Sequence, residues 1–398
     1  MYSSPITSLQ YSKIQNASQF TILLLLGISA LMDLPRNIGI GGITLSSTLT
    51  IGMVFVSVLF IFIHPEIPKL GLFGYFIIMA IFGGVSFFWA TIELKPSIHN
   101  YSILILFISC MFIATRESFF HLNFHEKIIK INSILGIPTL IIFILTSFME
   151  NGSQILFPRA FAIFALVVLS IYLAMFRNGD RFSFFMALAV IATIGYSLSR
   201  TALAVAIVLL ILSRVELDIK GILRLLLIGT ITLGGFYIAI KNIPVLNERF
   251  FTGDMKFEVG GVPINATGRA ELWESTLKSY EEFPIFGQGV GSSEKLLHDQ
   301  KFVTSHPHND YLRILHDYGA VGLFLWIVGY LKLLIVTWRN WHKSEKVGIP
   351  STIHVAAFLL LVALSLIMIT DNPIVYGFFM APIGIVVGTS MGLGKKVE

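Results

Sequence analysis

The chain has 398 residues, 55% of them apolar or aromatic and only 13% charged, against about 25% charged in a soluble domain. Its 28 basic and 23 acidic residues cannot clothe a soluble protein of this size, and so much apolar surface also excludes intrinsic disorder. A single cysteine, Cys110, rules out a disulfide within the chain and a cysteine-based metal site. Composition leaves an all-α polytopic membrane protein, in which the net charge of +5 reads as a topology signal and not as a nucleic-acid footprint.

Twelve apolar segments are long enough to be read as spans, at about 18–32, 43–63, 70–92, 98–114, 127–149, 157–176, 182–197, 199–214, 222–240, 319–338, 352–370 and 374–393. The first run begins near Phe20 without a small-residue cleavage site, so it reads as a retained span. With the N-terminus inside, the inner segments hold 16 Lys and Arg and the short outer loops 4. That bias puts both termini in the cytoplasm and residues 241–318 outside. The expected organisation is therefore spans 1–9 in residues 1–240, an outer helical loop in 241–318, and spans 10–12 in 319–398.

Arginine on the outer face runs against this bias, yet Arg159, Arg200, Arg269 and Arg313 fall there. An anion held at the outer surface is one reason for such placement. Arg159 begins a span and Arg200 joins two, where snorkelling to headgroups is the plainer alternative.

In the outer loop, TGRAELWESTLKSYEEFP predicts a helix capped by Thr267, with Leu272, Thr276, Leu277 and Tyr280 on one stripe, ended by Pro284. Arg269 then lies in the first turn, beside free N–H groups and the positive dipole end, where its planar fork suits phosphate oxygens. A surface pairing with Glu271 or Glu274 is the competing reading. IFGQGVGSS reads as a tight turn and lacks the spacing of a dinucleotide fingerprint.

Next comes HPHNDYLRILHDYGAVGLFLW, in which Asn309 or Asp310 caps a helix that Gly319 breaks. His308 precedes that helix, and a histidine there can take a proton from a hydroxyl or serve only as an interfacial group. His306, His308 and Asp310 have a spacing that a metal can use, but the set is small. Asp371, in ITDNPIVYG, lies in the last outer turn, where Asp-Asn-Pro is also a plain turn former.

Three motifs resemble those of the O-antigen ligase and O-antigen polymerase superfamily of bacterial inner membranes. His308-Asn309, nine residues, then Gly319-x-x-Gly322 is similar to the ligase pattern; TGRAELW with FPIFGQGVG, and LSRTALA, resemble two further family motifs. The resemblance covers residues 195–326 best. It implies a fold similar to the GT-C glycosyltransferases and an active site at the periplasmic face of the inner membrane. It also implies metal-independent, inverting transfer of a glycan from undecaprenyl pyrophosphate, without a cofactor. The acceptor in ligases is a lipid A core sugar; in polymerases it is a second lipid-linked glycan. On this resemblance Arg200, Arg269 and His308 are the expected catalytic residues. Arg159, His306, Asn309, Asp310, Arg313 and Asp371 are the expected contacts to pyrophosphate or acceptor. A small-anion transporter is a further alternative, disfavoured because the spans are nearly free of charge at mid-depth.

Overall fold

The computed structural model describes residues 43–63, 73–88, 94–147 except Leu122, 157–214, 268–348 and 351–397, with isolated positions at 22, 26–27, 39–40, 221–242 and 258–263. Its helices are α1 (Leu45–Ile63), α2 (Phe73–Ser86), α3 (Leu94–Phe120), α4 (Phe124–Ser147), α5 (Pro158–Arg177), α6 (Arg181–Tyr196), α7 (Arg200–Leu212), α8 (Arg269–Tyr280), α9 (Ser292–Asp299), α10 (Asp310–Val347), α11 (Thr352–Ile367) and α12 (Gly377–Val397). A 3₁₀ turn at Pro373–Val375 precedes α12, and two antiparallel pairs of two residues each complete the described elements.

Among the described residues five helical stretches are long and apolar enough to cross a membrane: Pro96–Phe120, Phe124–Ser147, Pro158–Arg177, Asp310–Val347 and Gly377–Lys395. Thr48–Phe62, Phe73–Ser86, Arg181–Tyr196, Arg200–Leu212 and Thr352–Ile367 are apolar but shorter. The protein is an all-α membrane protein. The segments expected at 18–32 and 222–240 lie largely outside the described residues.

The core forms around α3, α5, α11 and α12. Helix α5 opens with Pro158 at a position where a missing N–H is harmless. It is apolar on every side from Phe161 to Leu169, the pattern of a helix enclosed by others. Helices α3 and α12 approach through Gly384, Gly388 and Gly392, whose faces rest on the Phe107, Met111 and Thr115 carbonyls. This is small-residue packing, which lets backbones touch where lipid offers no hydrophobic drive.

Chain direction then sets the site. Successive crossings bring the starts of α3, α5, α7, α10 and α12 and the end of α11 to one end of the bundle, and α8 lies against α10 there. Helix α10 is kinked at Gly319, where φ is +68° and ψ is −171°. The glycine-rich turn repairs the break. The freed carbonyls of His316 and Asp317 accept from the N–H groups of Gln288 and Gly289 at 3.0 and 2.9 Å. Ala320 and Val321 donate to the Pro284 and Ile285 carbonyls at 2.9 and 3.2 Å. The spaced glycines of both motifs therefore meet as one backbone-to-backbone joint.

Candidate active site

A cavity of about 480 Å³ opens at this end, lined by Phe157, Pro158, Arg159, residues 197–201, Arg269, His308 and Asp371. Five of the expected residues thus converge from five separate segments. Arg159 is in the first turn of α5, and Arg200 is the first residue of α7, behind Leu198 in the left-handed region at φ +58°. Arg269 is the first residue of α8; its cap is Gly268, with φ +75°, and Thr267, the expected cap, lies outside the described residues. Leu272 and Thr276 face inward as expected, but Leu277 is exposed, so the buried stripe is narrower than the pattern indicated.

Arg159 joins the two other charged walls. Its Nε donates to Asp371 Oδ2 at 2.5 Å and its Nη2 lies 3.1 Å from His308 Nδ1. Asn372 Nδ2 reaches the same nitrogen at 2.8 Å, and Thr304 Oγ1 lies 3.2 Å from His308 Nε2. His308 adopts φ +53°, in the left-handed region that few non-glycine residues enter, histidine more readily than most, and that recurs at functional positions. The indole of Trp273 on α8 donates to the Pro307 carbonyl at 2.8 Å, and Thr201 meets Thr370 at 2.8 Å. These bonds tie α8 to the histidine loop and α7 to the 371 turn.

The electrostatics are those of an anion site. Burial first, then the neighbouring Arg159 and Arg200, bring Arg269 down to about 10, against the opposing pull of Asp371. Burial first, then Arg159, Arg269 and His306, hold His308 at about 3, so the ring is neutral at neutral pH. Three guanidinium groups against one carboxylate leave the pocket with an excess of positive charge.

The remaining expected residues lie behind this cavity, outside its lining. Asn309 caps α10, its Oδ1 accepting from Leu312 N at 3.0 Å. Asp310 is fully buried: Oδ1 accepts from Arg313 Nε at 2.8 Å and Oδ2 from Ile374 N at 2.9 Å. His306 Nδ1 lies 3.3 Å from Glu294 Oε1. Among the described residues no group of three His, Cys, Asp or Glu converges as metal ligands. Sequence reasoning missed Asn372 and Thr304. Asn372 follows an already suspected acid, but a turn motif gives no sign that its side chain turns back onto a histidine 64 positions away.

Residues 159–327 match the family model described as O-Antigen ligase. A curated O-antigen ligase of Pseudomonas aeruginosa is 31% identical over 87 residues, which is 22% of this chain and 21% of that protein's length. The matched stretch includes Arg159, Arg200, Arg269, Arg313 and the whole histidine motif. The family match thus covers less than half of this chain, and the chain spans about a fifth of the length of the curated relative it matches.

Proposed function

We propose that the protein is an O-antigen ligase-like glycosyltransferase that moves a glycan from undecaprenyl pyrophosphate to a sugar hydroxyl of the lipid A core. The observation that carries this reading is the convergence of Arg159, Arg200 and Arg269 with His308 on one cavity. In the reaction the acceptor oxygen attacks the anomeric carbon from the face opposite the leaving group. The bond to the pyrophosphate oxygen breaks with its electron pair, and configuration inverts. Arg200 and Arg269 stabilise the charge that grows on that oxygen, and fixed donors do so without reorganising. Arg forks suit the diphosphate better than ammonium groups would. His308 is neutral and takes or orients the acceptor proton.

Arg159 and Asp371 meet donor or acceptor directly in this reading. His306, Asn309, Asp310 and Arg313 act by holding the loop and the last turn. The chemistry needs no metal or cofactor. We further propose twelve spans in a GT-C-like arrangement in the bacterial inner membrane, with both termini cytoplasmic. Spans 1–9 occupy 1–240 and spans 10–12 occupy 319–398, and residues 241–318 form a periplasmic loop carrying much of the site. Membrane lipids surround it.

The test is transfer in cells lacking the native enzyme. Arg269→Ala and His308→Ala are expected to abolish glycan transfer at unchanged membrane abundance; near-normal transfer by either contradicts the assignment. Transfer by the wild type to a second lipid-linked glycan instead of lipid A core would make the protein a repeat-unit polymerase with the same donor chemistry.

A further inference from the structure

We propose that the turn of Phe283, Pro284, Ile285 and Phe286 is buried in the bilayer, where acyl chains of membrane phospholipids fill the groove between it and the end of α2. The proposal goes beyond the reaction and holds whichever acceptor the protein uses.

Helix length fixes the depth. After the break at Gly319, α10 is apolar from Ala320 to Trp338, with Lys332 its one charged residue. The Lys332 ammonium donates to the Tyr75 hydroxyl at 2.8 Å. Asp317 stands before the run and Arg339 follows it. At 1.5 Å per residue the run is about 28 Å long, close to the roughly 30 Å of hydrocarbon that a span must cross. Ala320 therefore lies at the hydrocarbon edge. Its N–H donates to the Pro284 carbonyl at 2.9 Å, and that of Val321 to the Ile285 carbonyl at 3.2 Å. Two backbone bonds thus hold the turn at that depth, although it belongs to the segment expected in the outer loop.

The surroundings are apolar too. Phe283, Ile285 and Phe286 are each more than half exposed. Phe82, near the end of apolar α2, meets the Phe286 ring at 6.0 Å between centroids. With residues 282–287 it lines a groove of about 640 Å³, and among these residues only Glu282 is charged. Helices α2 and α10 pack through Gly83 against Tyr318 and through Gly329 against Phe76, so they run side by side away from the turn. Outward-facing apolar side chains continue along both: Ile81 and Ile78 on α2, Phe324 and Ile327 on α10. The groove is continuous with the lipid-facing surface of a membrane protein, and an exposed apolar patch of this kind marks a contact.

The backbone meets the condition that lipid sets. Irregular chain tolerates an apolar medium only where its polar groups are bonded within the protein. Phe283 N–H donates to the Tyr280 carbonyl at 3.0 Å, and the Phe283 carbonyl accepts from Gly287 N–H at 3.0 Å. The Pro284 and Ile285 carbonyls take the two bonds from α10, and Pro284 has no N–H to satisfy. The anchor also sets where the candidate site stands. Helix α8 leads back from this turn to Arg269, and its 12 residues cover about 18 Å. The guanidinium is carried on an arm whose foot is fixed in the leaflet.

The test is nitroxide accessibility in vesicles of phosphatidylethanolamine and phosphatidylglycerol, with a spin label on Phe283→Cys or Ile285→Cys. Cys110 is buried, so wild-type protein taken through the same labelling is the blank. Both labels are expected to collide more with oxygen, which concentrates in lipid, than with a water-soluble nickel chelate. A label on Val303→Cys, at a fully exposed position of the histidine loop, should show the reverse ratio. A nickel-dominated ratio at both 283 and 285 overturns the proposal. So does protection from both reagents, which would put a second copy of the chain in the groove. Wild-type protein gives a check free of substitutions: a phospholipid with a photoreactive diazirine in its acyl chain should attach to the peptide holding residues 282–287. Attachment to α2 and α10 that spares this peptide overturns the proposal. Attachment there that undecaprenyl phosphate abolishes also overturns it, and assigns the groove to a polyprenyl chain.

Discussion

Arg159 and Asp371, 212 positions apart in sequence, meet at 2.5 Å on the wall of the cavity. The carboxylate is nearly buried, with 5% of its side chain exposed, and the guanidinium is the more accessible partner. A cation held by a buried acid and free to reach outward is well placed to trade that acid for an incoming phosphate.

Replacing Arg159 therefore affects transfer more than folding. Arg159→Ala is expected to lower kcat/KM by about 10²- to 10³-fold, the usual effect of losing one charge-stabilising donor. Arg159→Lys should restore only part of this, because the fork that spans Asp371 and His308 is lost. Transfer assays on matched amounts of purified protein check both. Full rescue by lysine would show that charge alone matters there.

Acid should destabilise the folded protein. Burial, reinforced by Arg313 and His99, holds His306 at about 3, and His308 is held at about 3 by burial, Arg159, Arg269 and His306. Unfolded histidine titrates near 6.5. As pH falls from about 6.5 toward 3 the unfolded chain binds protons that the folded one refuses, so stability is lost across that window. Tm in detergent should drop between pH 7 and pH 4, and His306→Asn with His308→Asn should flatten the slope. A Tm that rises on acidification contradicts this.

The joint at Gly319 is expected to be intolerant. A Cβ there would meet the Ile285 carbonyl, and φ is +68°. Gly319→Ala should cost about 1–3 kcal/mol from backbone strain alone, seen as a lower Tm and folded yield. Gly268→Ala, with φ +75° but open space around it, should cost less.

The chemistry proposed uses no metal. EDTA should leave transfer by the purified protein unchanged; strong inhibition reversed by a divalent cation would contradict the proposed mechanism.

The membrane class and much of the candidate site were legible in the sequence, for different reasons. Apolar runs announce helices because lipid leaves the backbone no other partner. Arg159, Arg200 and Arg269 stood out because cations on the expected outer face run against the topology bias. His306 and Asp310 were expected as contacts to pyrophosphate or acceptor, yet their side chains turn away, toward Glu294 and toward Arg313 and Ile374 N. Two residues either side of a histidine give no direction when the chain passes through a left-handed kink at His308. The glycine spacing was visible, but its meaning, one turn mending a broken helix, needed the pairing of 284–289 with 316–321. Asn372 was hidden because its role depends on a partner brought near only by the packing of α10 against α11.

The most direct measurement is product stoichiometry with purified protein, an undecaprenyl-pyrophosphate-linked glycan and lipid A core. The account predicts one undecaprenyl pyrophosphate released per glycan joined to the core, with both products lost together in Arg269→Ala and His308→Ala. Absence of transfer from the active preparation, accompanied by passage of small anions across sealed vesicles, would contradict it.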